Sequence, residues 1–184
     1  ANKGEMMEKI KVATIWLDGC SGCHMSFLDM DERIIALSEK IEYVSGPYID
    51  VKFKDMPEVD LILVEGAVSN EDDLHKVCVV REKAKTLISF GDCAITGNIP
   101  SMRNIYGVKE CLAFSYLELA NENNHIPSTG IPKLLDRVLP VHEVVDVDYF
   151  LPGCPPPADA IFYVLSELLE GRVPNPYTVS RFGK

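Results

Sequence analysis

Four of the six cysteines in this 184-residue chain follow apolar runs and lie in turns rich in glycine or proline. Cys20 and Cys23 belong to the segment DGCSGC, Cys93 ends the segment GDC, and Cys154 begins the segment CPPP. Thiolates are strong ligands for zinc and for iron–sulfur clusters. The pattern therefore predicts a metal site built from separate turns, and the function depends on which metal it holds.

Iron–sulfur binding is the favoured interpretation of this set, because such clusters commonly take four cysteine ligands and the pair Cys154–Pro155 resembles the end of ferredoxin ligand runs. Structural zinc also uses four cysteines, but typically as two close pairs, and only one close pair is present here. A thioredoxin-like redox pair ranks third, since it leaves Cys93 and Cys154 without a role. Unrelated core cysteines explain single residues better than four that all follow predicted strands.

The remaining cysteines, Cys78 and Cys111, fall within predicted helices, and Cys78 lies beside core positions of its helix. We interpret both as structural residues. Together with the metal-site set they account for all six cysteines of the chain.

Composition excludes several classes of protein. The net charge of −10 argues against nucleic-acid binding, which needs a basic face. No apolar run approaches the roughly 18 residues that span a bilayer, so no direct membrane span is expected. The opening residues 1–7 are short and polar, without the apolar segment of a secretory signal. Clustered cysteines in a protein predicted to be cytoplasmic are more often metal-binding or catalytic than disulfide-bonded.

Short apolar runs alternate with helical periodicity along the chain. Strands are predicted over 11–17, 60–64, 86–90 and 144–150. Helices are predicted along 27–41, after residue 69 or 70, over about 108–119, and from 156–158 to Gly171. The segment 121–132 is predicted to be a loop, and the N-terminal residues and the tail from 175 onward show no clear element.

This alternation predicts one α/β domain over residues 1–184, with a flavodoxin-like, open, mostly parallel sheet and helices on both faces. Binding sites in such sheets form outside the carboxyl ends of the strands. Glu65 and all four cysteines of the predicted metal site fall at such ends. The fold therefore explains how residues distant in sequence meet in space.

Several longer segments resemble the small subunit of [NiFe] hydrogenases, in particular the short form found in cytoplasmic, bidirectional NAD-reducing hydrogenases. The segments are WLDGCSGCHMSF, VEG, GDCAITGNIP and PGCPP, and the resemblance covers nearly the whole chain. It implies that Cys20, Cys23, Cys93 and Cys154 hold one proximal [4Fe–4S] cluster. It also implies that no catalytic residue lies in this chain, because the nickel–iron centre belongs to a large subunit.

The implied role is an electron relay from that nickel–iron centre towards a flavin and NAD module. Further iron–sulfur clusters, FMN and NAD would then be held by partner diaphorase subunits. Flavin in this chain is disfavoured, since Cys20 to Cys23 occupy the loop where a flavin phosphate normally binds. The alternatives are the equivalent subunit of a membrane-bound ferredoxin-linked hydrogenase or of a quinone oxidoreductase, and, outside redox chemistry, a zinc-stabilised interaction module.

Five further residues have competing interpretations. Glu65 is given either a proton or redox-linked role near the cluster, including occasional ligation, or the role of a carboxylate that binds loop N–H groups. His24 is interpreted either as a donor to a cluster sulfur or, preferably, as a surface or interface histidine. Trp16 and Phe27 are predicted to be core residues rather than part of an electron path. Arg103 is interpreted either as a partner of the large subunit or as an ordinary exposed loop arginine.

Overall fold

A computed structural model describes residues 9–51 and 53–183. The strands are β1 (Ile10–Trp16), β2 (Ile41–Ser45), β3 (Val59–Glu65), β4 (Val68–Asn70), β5 (Ala84–Phe90), β6 (Leu134–Leu139) and β7 (Tyr149–Leu151). The helices are α1 (Gly22–Leu28), α2 (Arg33–Ser38), α3 (Glu71–Lys83), α4 (Asp92–Thr96), α5 (Val108–Ala113) and α6 (Ala158–Leu169). The expectation of poor structure at the N-terminus concerns residues outside the described part of the chain.

Five strands form one parallel sheet in the order β2-β1-β3-β5-β7. Counted along the chain within this sheet, the order is 2-1-3-4-5, which is the flavodoxin-like arrangement. The predicted fold class is therefore confirmed. Because every strand runs in the same direction, the turns that follow β1, β3, β5 and β7 all leave the same edge.

The three central strands are apolar because helices or loops cover both of their faces. Successive side chains of a strand point to opposite faces, so each strand contributes to two separate cores. One core contains Val12, Leu61, Leu63, Ile88 and Phe90 together with residues of α1 and α6. The other contains Ala13, Ile15, Ile62, Val64 and Leu87 together with residues of α3.

The helix predicted along 27–41 is wrong in its length. The chain forms two short helices, α1 and α2, and Ile41 begins strand β2. Between the helices Asp31 has a φ of 53°, a left-handed conformation that cannot continue a right-handed helix. The apolar spacing persists across the break because both short helices pack on the same core.

The strand predicted over 144–150 is also corrected. Residues Val141–Glu143 form a short 3-10 turn, and only Tyr149–Leu151 pair with β5. No sequence pattern predicts the antiparallel pair of β4 and β6. Asn104 braces this pair, since its side-chain amide donates to the Val138 carbonyl at 2.9 Å and its oxygen accepts from the Val138 N–H at 2.8 Å.

Other predicted elements agree with the structure. Asn70 caps α3, and its side chain accepts from the N–H of Asp73. The helix predicted near 108–119 is α5 followed by a π-helical turn, Phe114–Glu118. The tail differs from its prediction of no clear element, since Pro176–Thr178 form a short 3-10 helix. Within residues 9–51 and 53–183, no helix is long and apolar enough to cross a bilayer.

Candidate metal centre

The parallel sheet brings the cysteine turns to one edge. Cys20 and Cys23 follow β1, Cys93 follows β5, and Cys154 follows β7. Strand β3, which ends at Glu65, lies between β1 and β5. The turns after β1 and β5 therefore flank the end of β3, the turn of Cys154 follows the next strand along, and each turn reaches its cysteine within a few residues of its strand.

The thiol of Cys23 is the innermost of the four, with 7% of the residue exposed. Burial raises its pKa, and the negative charges of Glu65, Cys93, Cys20 and Cys154 raise it further. Burial likewise raises the pKa of Cys93, followed by the influence of Cys154 and Cys20. Cys23 and Cys93 are thus each influenced by the charges of Cys20 and Cys154. Cys20 and Cys154 are exposed, and all six cysteines of the chain are free.

Two glycines make room for the sulfur atoms. Gly91 has a φ of +84°, and a Cβ there would collide with the sulfur of Cys23. A Cβ on Gly22 would come within 3.2 Å of the Cys20 sulfur. Glycine is favoured where the backbone must be left-handed or must approach another group closely. These positions let the backbone of two turns lie directly against thiols.

Hydrogen bonds join the turns to one another. The backbone N–H of Asp92 donates to the Gly153 carbonyl at 2.9 Å, and the Gly153 N–H donates to the Asp92 carboxylate at 2.7 Å. The hydroxyl of Ser26 on α1 donates to the Pro156 carbonyl at 2.5 Å. The turn that carries Cys154 is therefore tied both to the turn of Cys93 and to α1.

Glu65 is buried at the centre of this edge, with 2% of the residue exposed. Its carboxylate accepts the backbone N–H of His24 at 3.1 Å and also hydrogen-bonds His24 Nδ1. This matches the interpretation of Glu65 as a carboxylate that binds loop N–H groups. Its predicted proton or redox-linked role stays a prediction.

The prediction for His24 is wrong, because only 3% of the residue is exposed. Its Nε2 shares a hydrogen bond of 2.9 Å with the Thr14 hydroxyl, in addition to the bonds with Glu65. Sequence reasoning missed this residue since its partners come from two strands, β1 and β3. The one local signal was a charged residue, Glu65, at the end of an otherwise apolar strand.

The predictions for four other residues have mixed outcomes. Phe27 is a core residue as predicted, but Trp16 is 50% exposed, because it is the last residue of β1 and points away from the core. Cys78 is exposed rather than beside the core. Arg103 is neither free nor fully exposed, since it donates to the carbonyls of Ser69 and Leu135 at 3.0 and 2.9 Å.

The donor set is four cysteine thiols on three turns, and thiolates bind either zinc or an iron–sulfur cluster. A single zinc ion needs its four sulfurs at about 2.3 Å from one point. Within residues 9–51 and 53–183, no three or more His, Cys, Asp or Glu side chains are gathered to hold one ion. A [4Fe–4S] cluster requires four cysteines spread around a larger body, one for each iron.

The sheet order and the cysteine-bearing edge define a flavodoxin-like α/β subunit with a candidate thiolate site. Residues 20–168 match the family described as NADH ubiquinone oxidoreductase, 20 Kd subunit, and the chain belongs to this family. The match begins at Cys20 and includes the other three cysteines of the edge.

Named relatives are components of hydrogenases. The chain is 46% identical over 173 residues to the NAD-reducing hydrogenase HoxS subunit delta of Cupriavidus necator, covering 89% of this chain and 80% of the relative. It is 41% identical over 170 residues to a component of the F420-non-reducing hydrogenase of Methanothermobacter marburgensis, covering 90% of this chain. The chain spans about 55% of the length of that second relative.

Solved structures agree with these relatives. A chain in the crystal structure of an NAD+-reducing [NiFe]-hydrogenase in the H2-reduced state superposes with a TM-score of 0.90 at 40% identity. The alignment covers 95% of this chain and 99% of that one. A chain of the Ni-Fe-Se hydrogenase from Desulfomicrobium baculatum has a TM-score of 0.58 at 16% identity, which shows a shared fold.

Proposed function

We propose that this chain is the electron-transfer small subunit of an NAD-reducing [NiFe] hydrogenase, as one cluster-binding domain in the cytoplasm. The observation that supports the proposal is that the turns bearing four cysteines leave one edge of the sheet, in a chain that matches NAD-reducing hydrogenase subunits over most of its length. All six cysteines are free, which suits a reducing compartment.

The proposed ligands of one [4Fe–4S] cluster are Cys20, Cys23, Cys93 and Cys154. Such a cluster supplies one-electron transfer when it is bound. The residues of the chain would hold together thiolates that otherwise repel one another. Burial is the largest cause of the raised pKa of Cys23, and the negative charges of Glu65 and the other cysteines raise it further, so both oppose its ionisation. Cationic iron would compensate this cost.

The proposed partner at this edge is a large subunit that holds the nickel–iron centre. Two of the four thiols are exposed in the isolated chain. Large apolar side chains beside the cysteine turns are exposed as well, among them Met25, Ile99 and Met102. Exposed apolar residues next to a predicted redox site support an interface, because a partner that covers them also excludes water from the thiols. Diaphorase subunits with flavin and further clusters complete the proposed path to NAD.

Two separate likenesses support NAD as the acceptor. By sequence, the chain is 46% identical to a subunit named for NAD reduction in Cupriavidus necator. By structure, it superposes with a TM-score of 0.90 on a chain of an NAD+-reducing enzyme. The name of the Methanothermobacter relative states only that F420 is not its acceptor, so that relative offers no rival acceptor.

The test is purification of the native complex under nitrogen through an affinity tag on this chain. We expect a hydrogenase large subunit and flavin-containing subunits to co-purify, and the complex to reduce NAD+ with hydrogen. The same preparation is assayed with a viologen dye, which accepts electrons without the diaphorase subunits.

Comparison of the two acceptors separates the alternatives. If the complex reduces the dye but not NAD+, the proposed acceptor is wrong and the proposed hydrogenase role stands. Co-purifying integral membrane proteins would favour the membrane-bound complexes. A colourless chain that contains zinc and has no hydrogenase partner would overturn the proposal in favour of an interaction module.

A further inference from the structure

Every polar group of His24 is engaged by another part of the chain. Its backbone N–H donates to the Glu65 carboxylate at 3.1 Å, and its ring bonds both Glu65 and Thr14. Its carbonyl accepts a hydrogen bond from the Tyr48 hydroxyl. Since His24 directly follows Cys23, these bonds hold the backbone beside the innermost thiol from several directions.

The helix that carries Cys23 lacks a cap of its own. Ser21 occupies the N-cap position of α1 in a left-handed conformation, and its side chain makes no capping bond. A capping side chain normally accepts the N–H of the second or third helical residue, and His24 is the third residue of α1. Glu65 supplies that bond from the end of β3. The start of α1 is thus held by a strand that is distant in sequence and adjacent to β1 in the sheet.

Thr14 secures the other side of the imidazole. It lies on β1, is fully buried, and its hydroxyl also shares a hydrogen bond of 2.6 Å with the Tyr43 hydroxyl. The His24 ring also contacts Tyr48 edge-on, with 5.4 Å between ring centroids. A ring with both nitrogens bonded and an aromatic neighbour has one orientation available. Residues from β1 and β3 therefore determine the position of the residue next to Cys23.

We propose that Thr14, His24 and Glu65 form a positioning unit that holds Cys23 in its ligating orientation. The proposal rests on the function proposed above. It gives none of these residues a direct part in electron transfer. They act through Cys23, by keeping its backbone and hence its sulfur in place. Groups behind a metal ligand commonly orient it and tune the metal, so their loss changes affinity and potential without removing a ligand.

The test uses Thr14→Val and Thr14→Ser in the purified complex. Valine keeps the shape of threonine without the hydroxyl, whereas serine keeps the hydroxyl. For Thr14→Val we expect the cluster bound by this chain to have a shifted midpoint potential and an altered EPR line shape. We also expect it to release iron to a chelator about tenfold faster. For Thr14→Ser we expect all three properties to return towards those of the wild type.

Tyr43→Phe is the matched control, because it removes the outer hydrogen bond of Thr14 and leaves the bond to His24. We expect this variant to behave as the wild type does. Equal potentials and line shapes for Thr14→Val and the wild type would overturn the positioning unit, as would equal effects of Thr14→Val and Tyr43→Phe. Absence of any iron–sulfur signal in the wild-type complex would instead overturn the proposed function, so the two failures are distinct.

Discussion

The inner and outer sides of the cysteine edge are built differently. On the inner side, Cys23 is buried, and side chains from two strands hold its neighbour His24. On the outer side, Cys154 is exposed, and its turn is held by Gly153, which accepts the Asp92 backbone N–H and donates its own N–H to the Asp92 carboxylate. Cys23, one of the proposed ligands, is thus surrounded by the interior of this chain. Cys154 faces outward, where the proposed large subunit would complete its surroundings.

One edge of the sheet thus encloses one cysteine within the chain and presents another at its surface. A buried polar network is costly to leave incomplete, so it holds its members in one arrangement. The bonds between Gly153 and Asp92 are buried as well, but the Cys154 side chain beyond them lies at the surface and is not enclosed by this chain. We therefore expect changes on the inner side to affect cluster retention more than changes on the outer side.

The largest effect is expected for Gly91→Ala, in which a methyl group collides with the Cys23 sulfur. Gly107→Ala is a matched control, since both glycines have a φ of +84° but no atom lies within 4 Å of a Cβ at Gly107. Both variants carry a backbone strain of about 1–3 kcal/mol, because a φ of 84° with ψ of 164° or 158° is essentially restricted to glycine. Only Gly91→Ala is expected to lose most of its cluster iron, as measured by metal analysis of the complex. Equal iron content in the two variants would contradict the close approach to Cys23.

An intermediate effect is expected for Asp92→Asn on the outer side. The two carboxylate oxygens accept the N–H groups of Gly153 at 2.7 Å and Gly183 at 2.6 Å. An amide keeps only one acceptor oxygen, so one N–H loses its partner at a cost of about 1–3 kcal/mol. We expect bleaching of the iron–sulfur absorbance at a lower temperature, with the exposed Asp136→Asn as control. If the midpoint temperature of bleaching is unchanged in both variants, Asp92 does not stabilise the outer side of the cysteine edge.

The smallest effect is expected for Ser26→Ala, which removes the hydrogen bond between α1 and the turn of Cys154. Ser26 is buried and donates to the Pro156 carbonyl, so its loss should cost about 1 kcal/mol. Ser38→Ala removes a comparable bond to a carbonyl, but at an exposed position. Chelator challenge of both complexes should show faster iron loss only for Ser26→Ala. Identical rates would mean that the inner and outer sides are not coupled through this bond.

Features of the fold that depend on neighbouring residues were predictable from the sequence. Apolar runs specify the central strands, and the turns that follow them place the four cysteines at one edge. Asn70 before three acidic residues predicted the start of α3, because capping depends on neighbouring residues alone. The exposed position of Trp16 was not predictable in this way, since hydrophobicity alone does not show that a strand ends at that residue.

The sequence could not predict contacts between distant segments. The buried state of His24 depends on Thr14 and Glu65, which lie on different strands. The break at Asp31 depends on a left-handed conformation that aspartate tolerates but does not require. The antiparallel pair of β4 and β6 joins segments far apart in the chain, and a three-residue strand carries too little periodicity to be recognised.

The most direct test of the account replaces each cysteine by serine in the tagged complex and measures iron together with the EPR spectrum of the reduced state. We expect Cys20→Ser, Cys23→Ser, Cys93→Ser and Cys154→Ser each to weaken or alter the same cluster signal, and Cys78→Ser and Cys111→Ser to leave it unchanged. A cluster signal that is indifferent to any one of the first four, or that depends on Cys78 or Cys111, would contradict the proposed site.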